Sequence, residues 1–104
     1  MLISRKKYDQ GDVVSFRLST GDEIIARVSE EADAEYVLER PCTVLPSAQG
    51  MGLIQTVMTA DQDHKFTLSK HHVVMHGMSI DAMQKHYIKT TTGIEPITRG
   101  SIIT

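Results

Sequence analysis

Tryptophan is absent from this chain, and among its 104 residues there are only three prolines, three tyrosines and two phenylalanines. A single cysteine, Cys42, excludes an internal disulfide framework and suits a reducing, intracellular setting. No apolar run nears the roughly 20 residues of a membrane span. The start, Met1-Leu2-Ile3-Ser4-Arg5-Lys6-Lys7, has its apolar residues before its charges and no apolar h-region, which predicts no secretory signal. An excess of one charge is also lacking. Eleven Lys and Arg stand against thirteen Asp and Glu, a formal net charge of −2. With a pI near 6.2, that argues against a protein that coats DNA non-specifically. What is present, 40% hydrophobic and 23% charged residues, is the composition of a soluble globule rather than a disordered chain. The length fits one domain, 1–104, and the expected location is cytoplasmic.

Period-two patterning dominates the first three quarters of the chain. In Val14-Ser15-Phe16-Arg17-Leu18 every second residue is large and apolar, which buries one face of a strand. Ser19-Thr20-Gly21-Asp22 predicts a tight turn, with Gly21 free to take positive φ. Glu23-Ile24-Ile25-Ala26-Arg27-Val28 predicts the returning strand, with Ile24, Ala26 and Val28 on one face. Ser29 to Glu35 reads as a polar connection. Tyr36-Val37-Leu38-Glu39-Arg40 opens a third strand, and Pro41, which cannot donate to a ladder, marks an edge, bulge or bend. Pro46 to Gly52 reads as a loop, Leu53 to Thr59 as a fourth strand, Phe66-Thr67-Leu68 as a short extended piece, and His72 to His76 as a fifth strand.

From Ser79 to Lys89 the period changes. Ile80, Met83, Tyr87 and Ile88 fall on one stripe of a helix, with Ser79 as N-cap, Asp81 in the first turn and Gly93 available as C-cap. The expected fold is therefore mainly β. It is a small, five-stranded, strongly bent antiparallel and partly open barrel over about 12–77, a C-terminal helix over about 79–91 that covers one end, and a tail at 94–104. An open barrel keeps two free edges, and pairing them between copies would satisfy both.

That layout resembles the Sm-like (LSm) family. The first motif of the family corresponds to Val13 to Leu18, Gly21, Glu23 to Val28 and Tyr36-Val37-Leu38-Glu39. The second corresponds to Val73-Val74-Met75-His76-Gly77, with His76 at the position of an Arg. Asp33 stands for the Asp of the family's base-reading loop, but Glu35 occupies the place of its Asn. A carboxylate cannot donate as an amide does, so the family's uridine preference does not carry over. The helix follows the barrel instead of preceding it, which is more similar to phage-borne Sm-like proteins and would place the chain in a host cytoplasm. The resemblance implies a homo-oligomeric ring of five to seven subunits that binds single-stranded RNA or DNA around its pore. It implies no enzyme activity and no cofactor.

Candidate contacts follow. Asp9 to Glu39 carries a local charge of −7 and His64 to Thr104 one of +3, so a ring could have one acidic and one basic face. Tyr36, beside the acidic loop, would stack a base; the other reading is a Tyr with its ring packed and its hydroxyl wet. Lys70 would meet phosphate. His72 and His76 would supply hydrogen bonds or partial charge. All five histidines fall between His64 and His86, and His72 and His76 share metal-ligand spacing. No Cys or carboxylate completes a tetrahedral set within one chain, so no metal is expected. Cys42 lacks a neighbouring base and reads as a buried structural thiol. Gly50-Met51-Gly52 lacks the Lys and following helix of a phosphate loop. Two other functions stay open: an adaptor ring that engages protein partners, for example in phage assembly, and a histidine-based metalloenzyme.

Overall fold

The computed structural model describes residues 6–92. Six antiparallel strands and one helix follow each other along the chain: β1 (Val13–Leu18), β2 (Glu23–Glu31), β3 (Glu35–Ser47), β4 (Gly50–Gln55), β5 (Lys65–Ser69), β6 (Val73–Met78) and α1 (Asp81–Thr92), with a 3-10 turn at Lys70–His72. The mainly β character and the single C-terminal helix agree with the sequence patterning. The predicted tail at 94–104 and the C-cap at Gly93 lie outside the described residues.

β1 and β2 form the predicted hairpin, with Val14 opposite Ala26 and Phe16 opposite Ile24. Gly21 closes it at φ +97°, a conformation that a side chain would strain. β3 is the spine of the sheet. It pairs with β2 along one side; on the other, Glu35 to Glu39 pairs with β5 and Cys42 to Ser47 with β4. The changeover falls at Arg40–Pro41, where Arg40 has φ 47° and the β2–β3 register shifts between Ile25 and Arg27. Pro41 thus marks a bulge inside one continuous strand.

The path runs β4-β3-β2-β1-β6, with β5 also on β3, and it does not close. Its curvature follows from the connections. In a flat sheet β5 and β6 would lie about 19 Å apart, four spacings of about 4.8 Å. Only the 3-10 turn joins them, and such a turn advances about 2 Å per residue. The sheet must therefore curl to bring its two ends together. Inside the curl lie Val14, Phe16, Ile24, Ala26, Val28, Tyr36 and Leu38, with Phe66, Leu68 and Val73 packed against them.

Several boundaries differ from expectation. β2 runs on to Glu31, so the connection to β3 is only 32–34. Pro46 to Gly52 is mostly ladder rather than loop, and the expected fourth strand is Gly50–Gln55 instead of Leu53 to Thr59. The helix begins at Asp81 and covers a face of the sheet, not one end. Met83, Tyr87 and Ile88 pack on Val13, Ile25, Cys42 and Leu53, while Ile80 is 69% exposed and off the buried stripe. The Ser79 hydroxyl bonds that of Ser15, 2.7 Å away.

Tyr87 explains why the helix sits there. A bulge leaves backbone groups without ladder partners. The buried Tyr87 hydroxyl accepts from the Arg27 amide at 3.1 Å and donates toward the Glu39 carbonyl at 2.7 Å. Burial pushes its pKa up to about 12. Burying a ring of this size contributes about 1.5–3 kcal/mol on top of those bonds.

Candidate functional site

One cluster at the rim of the concave core collects most of the polar and aromatic chemistry. It begins with a register slip. Ile24, Ala26 and Val28 face inward, and strict alternation would turn Glu30 inward next. The β2–β3 register shifts between Val28 and Glu30, so Glu31, opposite Tyr36, turns in instead. Its side chain is only 2% exposed.

A buried carboxylate needs partners. Oε2 of Glu31 accepts from Lys70 Nζ at 2.8 Å. Oε1 accepts the backbone N–H groups of Lys7 at 2.8 Å and Tyr8 at 3.0 Å. Burial alone would raise the Glu31 pKa, but Lys70 and the two amides outweigh it and hold the group below its ordinary value. Lys70 also sits over the Tyr36 ring, 4.8 Å from its centroid.

Three aromatic rings and an imidazole adjoin that ion pair. Tyr36 stacks at a tilt on Phe16, centroids 4.9 Å apart, and is itself 3% exposed. Tyr8 lies 6.2 Å from Tyr36 and 5.5 Å from His76, edge-on to the imidazole. The Tyr8 hydroxyl and His76 Nδ1 share a 2.6 Å hydrogen bond. Burial, together with nearby Glu31, raises the pKa of both tyrosines, so both hydroxyls stay protonated at neutral pH.

Of the sequence-predicted contacts, Tyr36, Lys70 and His76 are thus brought together. His72 is not part of that ring contact: it lies at the β1–β2 turn, where its carbonyl accepts the Ser19 amide at 2.7 Å and its Nδ1 is 3.4 Å from the Ser19 hydroxyl. Tyr36 has a packed ring, and Lys70 is already paired with Glu31. Tyr8 and Glu31 are the members that sequence reasoning missed. Tyr8 precedes the first periodic strand, and Glu31 looked like loop because nothing in a run of acids announces a bulge.

The expected split into acidic and basic faces is softened by pairing. Lys70 meets Glu31 and Lys65 meets Glu39 at 4.0 Å, so the start of the basic segment lies against acidic β2 and β3. Cys42 is buried, and burial pushes its thiol up to about 11, which removes it as a nucleophile at neutral pH. Among the described residues no group of three His, Cys, Asp or Glu side chains is placed to hold a metal ion.

β6 is the other notable surface. Among the described residues it pairs with β1 alone, and Val74, Met75 and Met78 along it are all more than half exposed. No described helix is long and apolar enough to cross a membrane. Compared with known proteins, the chain matches no protein-family model and no curated protein.

Proposed function

We propose that the chain is a non-catalytic binding protein for single-stranded nucleic acid, RNA or DNA. It would be an Sm-like, partly open barrel that assembles into a homo-oligomeric ring in the cytoplasm, a host cytoplasm if phage-borne. The observation that carries this reading is the rim cluster. His76 offers an exposed ring, Tyr36 a packed ring in contact with Tyr8, Lys70 a cation and His72, at the end of the same 3-10 turn, a hydrogen-bonding edge. Aromatic rings beside a cation suit a base and its phosphate, and stacking contributes about 1–3 kcal/mol per base. The rings and Lys70 are few and weak for one subunit, but a ring would repeat them by symmetry into a multivalent surface.

The test is fluorescence anisotropy of labelled single-stranded oligonucleotides across a salt series. Binding that weakens steeply with salt supports the proposal. No binding at low salt, or binding indifferent to salt, would sink it.

A second reading rests on a different observation. Val74, Met75 and Met78, exposed among the described residues, suit protein contacts as well as self-pairing. An adaptor ring, for example in phage assembly, would use such an edge for strand addition. Co-purification with protein and without nucleic acid would favour it.

A further inference from the structure

Ahead of β1, residues 6–10 belong to no strand, and Tyr8 packs against the concave core. Lys7 and Tyr8 hold on through two backbone amides on one oxygen of Glu31 and through the Tyr8 hydroxyl on His76. The segment meets the sheet at Gly11, whose N–H is held by the Val28 carbonyl at 2.8 Å and whose φ is +97°. Tyr8 therefore presents a flat ring, backed by N–H donors, to Tyr36, His76 and a buried carboxylate.

We propose that residues 7–8 are a displaceable strap, and that Tyr8 holds the position a nucleobase takes when single-stranded nucleic acid binds. The proposal rests on the nucleic-acid reading and adds its regulation. Three features support the exchange. First, Tyr8 sits among rings that a flat base could meet in its place, edge-on to His76 at 5.5 Å and tilted against Tyr36 at 6.2 Å. Second, no ladder hydrogen bonds hold the strap, so its release leaves the sheet intact. Third, release strips Glu31 Oε1 of two donors, and a buried acceptor must be resupplied. Every nucleobase carries an N–H donor on its Watson–Crick edge, and that edge can supply one.

A closed strap lowers the apparent affinity by the fraction of molecules that are open. Tyr8→Ala removes the ring and the His76 bond, and should tighten binding of labelled oligo(U) or oligo(A) by about fivefold or more if the strap is closed roughly four-fifths of the time. Tyr8→Leu keeps apolar packing on the core and guards against a misfolded variant. It should also bind more tightly than the natural chain. Equal or weaker binding by both variants overturns the strap and leaves the nucleic-acid reading standing. Absence of binding by the natural chain and both variants removes both ideas. On the unaltered protein, hydrogen exchange at the Lys7 and Tyr8 amides should speed up when oligonucleotide is added. Unchanged or slower exchange in a bound sample overturns the proposal.

Discussion

Glu31 carries a charge into the interior and keeps it there. Three donors offset its burial, and that arrangement fixes the sign of its pH dependence. Its folded pKa lies below the ordinary 4.5. The stability it contributes is therefore fully present above about pH 4.5 and is lost as pH falls through the folded value. The groups facing it are Lys70, Tyr8 and Tyr36, and neither tyrosine titrates in that window. Glu31→Gln should lower stability at pH 7 by about 1–3 kcal/mol, because it leaves the half-buried Lys70 without its counter-charge. Urea melts at pH 7 and pH 3 check this: the gap between the variant and the natural chain should narrow at the lower pH. A gap that persists unchanged would show that the charge is not what matters.

At the scale of elements, the Arg40–Pro41 bulge and α1 depend on each other. Tyr87→Phe keeps the ring in its place and leaves the Arg27 amide and the Glu39 carbonyl without their hydroxyl partner. The expected loss is about 1–3 kcal/mol, the desolvation of buried backbone groups, read from the midpoint of chemical denaturation. Loss of less than a few tenths would mean that water reaches the bulge. The same elements show what could be read from the residues. The β1–β2 hairpin was legible because alternation, Gly21 and the inward set Ile24, Ala26 and Val28 agree. Pro41 announced an irregularity, though not that the strand continues through it. The burial of Ile25 and Val13 is not legible locally, because it comes from the helix far downstream and no local period reports it. Glu31 was invisible for a related reason: a one-residue slip after Val28 decides which of two adjacent acids turns inward.

For the whole molecule, the edge of β6 that no described strand pairs is the determining feature. A lone subunit that leaves Val74, Met75 and Met78 in water is an aggregation hazard unless a partner covers them. Met75 is 69% exposed, so Met75→Lys should leave the fold and its thermal melt nearly unchanged. In light scattering coupled to size exclusion, the natural chain should run as a closed oligomer and Met75→Lys as smaller species. A natural chain that elutes as a monomer would remove the pore from the proposed function while leaving the rim cluster in place.

Because β2, β4 and β5 all hydrogen-bond to β3, none of those three strands can lift without stripping the same thirteen-residue segment. Loss of that segment is loss of everything, so the molecule should melt as one cooperative block. Its inner amides, Leu38 and Val44 among them, should be the last to take up deuterium, at rates that report global unfolding.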